Sequence, residues 1–154
     1  MLVPTDPPSP SRGDALDLLA EVWALNHAIE RASTRMESVL GVTAQQRLLI
    51  RLVGRHGDVS PSDLAALLCG DASTVSTSVK RLERRKMLKR RKDPRDGRKT
   101  IISLLPAGKA LDRREGASLE RALEEQLAET PRVRMHSARS FLRALVVRLD
   151  AVGR

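Results

Sequence analysis

Residues 60–104 read SPSDLAALLCGDASTVSTSVKRLERRKMLKRRKDPRDGRKTIISL, and the succession of residue types in this stretch decides the fold. Ser60 is a side-chain cap, Pro61 occupies the first helical position and Asp63 the third, which together make a strong helix start. The helix is short, because Cys69-Gly70-Asp71 breaks it. Asp71 can cap a second helix running from Ala72 to about Lys86, and two helices joined by a three-residue, glycine-containing turn have the layout of a helix-turn-helix. Beyond Met87 the spacing predicts a strand at Leu88–Lys92, an Asp96-Gly97 turn compatible with positive φ, and a β-branched return strand at Thr100–Leu104. Those two strands, residues 88–104, form a wing.

The second helix, 72–86, has Val75, Val79 and Leu82 on one face. Its first turns present Ser73, Thr74, Ser76, Thr77 and Ser78, and Lys80, Arg81, Arg84 and Arg85 follow. Ser and Thr are mediocre helix formers, so a cluster of them asks for a reason. Small hydroxylated side chains let a helix approach the major groove of a duplex closely, and the cations behind them reach its phosphates. At the wing tip Arg95, Arg98 and Lys99 flank Asp96. An arginine on a narrow hairpin has the shape to enter a minor groove, where negative potential is enhanced.

Charge distribution supports this reading. The chain of 154 residues has a net charge of +9. Between Lys80 and Lys99 stand 12 basic and 3 acidic residues, and the rest of the chain is neutral, with 16 of each. One short window carries the whole excess, which is the footprint of a localised polyanion site.

Outward from the centre, residues 1–13 are rich in Pro, Ser and Gly and read as a flexible arm. Ser11 with Asp14 starts a helix over 14–40, whose apolar positions Leu18, Val22, Leu25, Ile29, Ala32, Met36 and Val39 alternate spacings of four and three. Such a stripe suits a helix that packs on a second subunit. Gly41 ends it, and Thr43 with Gln46 makes a capping box for the next helix, with Leu48, Leu49, Leu52 and Val53. After Pro106 a helix is expected to about Glu129, anchored by Leu111, Leu119, Leu123 and Leu127. Thr130-Pro131 then starts a last helix holding Val133, Phe141, Leu145 and Leu149. The expected division is therefore an arm (1–13), a dimerisation helix (14–40), a winged helix-turn-helix (41–104) and C-terminal dimerisation helices (105–154). The fold class is mainly α with a small antiparallel β wing.

Composition excludes several functions. Trp23 and Phe141 are the only aromatic residues, which disfavours single-strand recognition by base stacking and with it the alternative of a non-specific or architectural nucleic-acid-binding protein. No apolar run suffices for a membrane span, the N-terminal residues lack the charged-then-apolar layout of a signal peptide, and Cys69 is alone; a cytoplasmic protein is expected. His27, His56 and His136 lie in separate elements, and no HExxH, paired-cysteine or glycine-rich phosphate motif occurs. Neither catalysis, metal nor cofactor is expected.

With its elements in this order, the chain resembles the MarR family of bacterial transcriptional regulators over roughly 14–149. The most specific part is residues 59–111, VSPSDLAALLCGDASTVSTSVKRLERRKMLKRRKDPRDGRKTIISLLPAGKAL, which contains an Asp-x-Arg wing signature in Asp96 and Arg98. The resemblance implies a homodimer binding pseudo-palindromic duplex operator DNA, and usually repression relieved by a small ligand or by oxidation. It also implies that Arg98 enters the minor groove and that Asp96 helps to orient it. An effector site is implied near the meeting of the first, second and fifth helices. Trp23, His27, Arg47 and Arg51 could line it, and their chemistry suits a phenolic or carboxylate compound. Two departures stand out: Leu105 occupies the position where the family commonly has a threonine cap, and the first helix lacks the cysteine of peroxide-sensing members.

Overall fold

The computed structural model describes residues 11–68, 72–116 and 118–152. The first helix, α1 (Arg12–Leu40), begins slightly earlier than expected. Ser11 accepts a hydrogen bond from the Asp14 N–H while the Asp14 carboxylate accepts from Ser11, a complete capping box. Gly41 closes the helix at φ 72°, a left-handed position that favours glycine. Thr43 and Gln46 form a second capping box for α2 (Ala44–His56). Ser60 accepts the Asp63 N–H at the head of α3 (Pro61–Leu68). The expected turn Cys69-Gly70-Asp71, and the arm up to residue 10, lie outside the described residues.

The second helix of the motif, α4, spans Ala72–Arg84, two residues short of the predicted end. Met87 donates to the Leu82 carbonyl and Lys86 adopts φ 54°, so the helix ends in a left-handed turn that leads directly into the wing. Strands β1 (Leu88–Lys92) and β2 (Thr100–Leu104) pair antiparallel in the register Leu88↔Leu104, Arg90↔Ile102 and Lys92↔Thr100. The loop between them differs from the expected glycine turn, since Gly97 has no positive φ. Two aspartate side chains shape the loop instead: Asp93 accepts from the Arg95 N–H at 2.8 Å and Asp96 from the Arg98 N–H at 3.1 Å.

The predicted helix 106–129 is two helices, α5 (Pro106–Arg113) and α6 (Leu119–Ala128). Gly116 at φ 148° breaks the chain and Ser118 caps the new start by accepting the Arg121 N–H. Leu105 makes no side-chain cap for α5, which relies on Pro106 in its first turn. Likewise, Thr130 does not cap α7 (Arg132–Leu149); its hydroxyl bonds back to the Gln126 carbonyl, and Pro131 sits at the cap position.

The core lies in the central lobe. Leu49, Ile50 and Val53 of α2, Leu64 of α3, Val75, Val79 and Leu82 of α4, Leu88 and Ile102 of the wing, and Leu111 of α5 pack together. Each buried aliphatic side chain contributes about 1.5–3 kcal/mol. Val59 joins the α2–α3 connection to β2 through two backbone hydrogen bonds with Ile102. Outside the lobe the stripe of α1 is mostly bare: Met36 is buried, whereas Leu25 and Val39 are 54% and 67% exposed. No residue of α6 or α7 is buried, and Leu123, Val133, Phe141 and Leu149 are exposed.

Candidate nucleic-acid interface

Helix α4 divides its residues cleanly. Val75, Val79 and Leu82 face the core, and Ser73, Thr74, Thr77, Lys80, Arg81 and Arg84 are exposed, with Ser76 half-buried. Ser78, which the sequence placed among the presented hydroxyls, is buried instead, with its Oγ 3.5 Å from Gln45 of α2. The reason is helical phase: Ser78 lies three residues after Val75 and four before Leu82, on the core face. Thr77 donates to the Ser73 carbonyl at 3.0 Å.

At the wing tip Arg95, Arg98 and Lys99 are exposed. Asp96 holds the backbone beneath Arg98, and its second oxygen lies 3.9 Å from the Lys99 ammonium. Among the described residues no carboxylate stands within ion-pair distance of Lys80, Arg81, Arg84, Arg95 or Arg98. An arrangement of exposed, uncompensated cations beside a row of hydroxyls attracts a polyanion and offers donors at close range.

The two arginines in the middle of β1 behave differently. Arg90 lies 3.4 Å from Glu83 of α4, and Arg91 pairs with Asp58 in the α2–α3 connection. The Ser103 hydroxyl also donates to Asp58 and accepts from Arg91 Nε at 3.3 Å. Sequence reasoning missed Asp58 and Glu83, and no local signal identifies them, because both partnerships cross between elements.

The residues expected around an effector separate into two groups. Trp23 is 57% exposed on α1, with its ring centroid 6.2 Å from that of His27, which reaches Glu30 at 3.3 Å. Arg47 is 1% exposed and donates to the carbonyls of Leu111 at 2.9 Å and Arg114 at 2.7 Å. Arg51 donates to the Asp112 carbonyl. These cations therefore cap the C-terminal end of α5, where free carbonyls and the negative end of the helix dipole collect. Glu120, from the first turn of α6, lies 3.0 Å from Arg47 and 3.6 Å from Arg51. Burial raises the Glu120 pKa, but its own backbone N–H, the Ser118 hydroxyl and the two arginines outweigh burial and hold the carboxyl below the usual value. A cavity of about 280 Å³ opens between Arg47, Arg51, Ser118, Glu120 and Glu124, and neither Trp23 nor His27 lines it.

Among the described residues no three His, Cys, Asp or Glu side chains converge as a metal site. No helix there is long and apolar enough to cross a membrane.

This architecture, a helix-turn-helix with a two-stranded wing between helical ends, is a winged-helix fold. Residues 40–99 match the model of the MarR family. An uncharacterised HTH-type transcriptional regulator of Bacillus subtilis, YdgJ, is 27% identical over 112 residues, which is 73% of this chain and 66% of that protein. A crystal structure described as a "probable transcriptional regulator" from Pseudomonas aeruginosa is 27% identical with a TM-score of 0.53, covering 79% of this chain and 93% of that one. The crystal structure of a mutant MarR from E. coli complexed with operator DNA matches at a TM-score of 0.66 and 18% identity, over 89% of this chain and 99% of the other. Residues 40–99 are thus similar to the MarR family, and the solved MarR structure shares the fold of this chain.

Proposed function

We propose that this chain binds duplex operator DNA as a homodimer, with α4 in the major groove and the wing tip in the adjacent minor groove, and that it acts as a repressor. One observation carries the reading: among the described residues Lys80, Arg81, Arg84, Arg95 and Arg98 are exposed with no carboxylate at ion-pair distance, whereas Arg90 and Arg91 between them have one each. Such a division is expected where the uncompensated set meets phosphates. The operator-bound MarR structure supports the assignment by fold.

Dimerisation accounts for the bare terminal helices. In α1 five acidic residues face three basic ones, α6 with Glu129 has four against one, and α7 has five arginines and no acid. These helices are charge-complementary to one another as well as apolar, so two copies could bury both kinds of surface. Relief by a phenolic or carboxylate effector would act through Arg47 and Arg51. Both guanidinia are already engaged, so such a compound would have to displace Glu120 and loosen the α5–α6 joint.

The test is competition binding between the chain's own promoter and random duplex. Operator preference supports the proposal; equal affinity for both would indicate a non-specific nucleic-acid-binding protein. Arg98→Ala is expected to weaken operator binding by about 1–3 kcal/mol at unchanged fold, with a salt dependence shallower by about one ion. Wild-type binding by that variant would mean that the wing tip does not touch DNA.

A further inference from the structure

Asp58 and Glu83 are carboxylates next to the most basic segment of the chain. If that segment existed only to attract phosphate, both would oppose it. Their placement suggests another task. A two-stranded ribbon is marginal on its own and twists freely. Here its base is fixed by Leu88 and Ile102 in the core and by the Val59–Ile102 backbone bridge. Farther out the ribbon relies on side chains. Consecutive residues of a strand point to opposite faces, so Arg90 and Arg91 lie on opposite sides of the wing. Each meets a carboxylate from a different element, Glu83 of α4 on one side and Asp58 of the α2–α3 connection on the other. Ser103, diagonal to Arg91 across the ladder, completes the second contact by bonding to both partners.

We infer that Asp58 and Glu83 are positioning residues for operator recognition: they staple the wing from both faces and set its angle to α4, so that Arg98 and the hydroxyl row of α4 reach their grooves together. Each staple is partly exposed, with side chains 27–44% accessible, so neither is a strong stabiliser of the fold. What matters is the wing's orientation, since small misplacements of a contact group carry a disproportionate cost. This inference rests on the DNA-binding reading above, and it predicts a sign opposite to that of simple electrostatics.

The experiment measures binding of the full-length protein and its variants to the promoter operator and to random duplex, with hydroxyl-radical protection read in the minor groove. Asp58→Ala and Glu83→Ala each remove a negative charge beside the DNA face. Each is nevertheless expected to weaken operator binding about two- to fivefold, the scale of a partly exposed ion pair. Random-duplex binding should stay level or tighten, and the minor-groove protection should fade while major-groove contacts persist. Exchanging the partners, Asp58→Arg with Arg91→Asp, is expected to restore operator affinity, which a loss of fold in the single variant could not allow. Operator binding that is unchanged or tighter in both single variants, with wing protection intact, would overturn the inference. A wild-type protein without operator preference would instead overturn the DNA-binding reading, and this inference with it.

Discussion

Arg47 concentrates the energetics of single residues in this molecule. A guanidinium at 1% exposure is costly unless it is compensated; here two carbonyls of the α5 end accept from its Nη1 and Nη2, and the Glu120 carboxylate 3.0 Å from Nε supplies the counter-charge without a hydrogen bond. Arg47→Ala strands a carboxylate and two carbonyls, so urea unfolding should register a loss of about 3–5 kcal/mol. Glu120 has a pKa lowered in the folded state, so its contribution is present above the unfolded value and is lost as pH falls through the lowered one. Stability of the wild type should therefore decline as pH drops below about 4.5, and Glu120→Gln should flatten that part of the profile. Two glycines separate by the same reasoning. A Cβ at Gly108 would stand 2.2 Å from the Met87 backbone carbonyl, which cannot move without shifting the wing, so Gly108→Ala should cost about 1–3 kcal/mol. At Gly54 the obstacle is the tip of the Asp112 side chain, which can turn aside, and the loss should be smaller. None of this could be read from composition: Arg47 sits in an amphipathic pattern where a cation reads as surface, and its partners are more than sixty positions away.

Elements were legible where a local rule fixed them. The capping boxes at Ser11 and Thr43 and the glycine at Gly41 placed the borders of α1 and α2, and β-branched residues with the basic run placed both strands. The α5–α6 break was not, because the leucines at 111, 119, 123 and 127 continue a helical spacing across it. Gly116 followed by Ser118 was the available signal, a glycine able to take the open conformation and a cap two residues later. The wing loop misled for a related reason: Asp-Gly is a hairpin signature only when the loop is tight, and here Asp93 and Asp96 bend a longer one. At this scale the prediction concerns the bare helices. Leu25→Glu on α1 and Phe141→Glu on α7 place charge on exposed apolar positions. Sedimentation should find the wild type dimeric and the double variant monomeric; a monomeric wild type would contradict the proposed assembly.

The whole molecule combines a lobe that owns the buried core with terminal helices that own almost none of it. The uncompensated cations lie on α4 and the wing tip, while the joint between lobe and terminal helices is held by Arg47, Arg51 and Glu120. A change in the spacing of two such lobes would therefore be transmitted through that joint. The most direct test of the central claim is hydroxyl-radical and methylation footprinting of the wild-type protein on its own promoter. The account predicts two major-groove contact zones about one helical turn apart, related by two-fold symmetry and each flanked by minor-groove protection. Diffuse protection of any duplex, without that paired pattern, would contradict it.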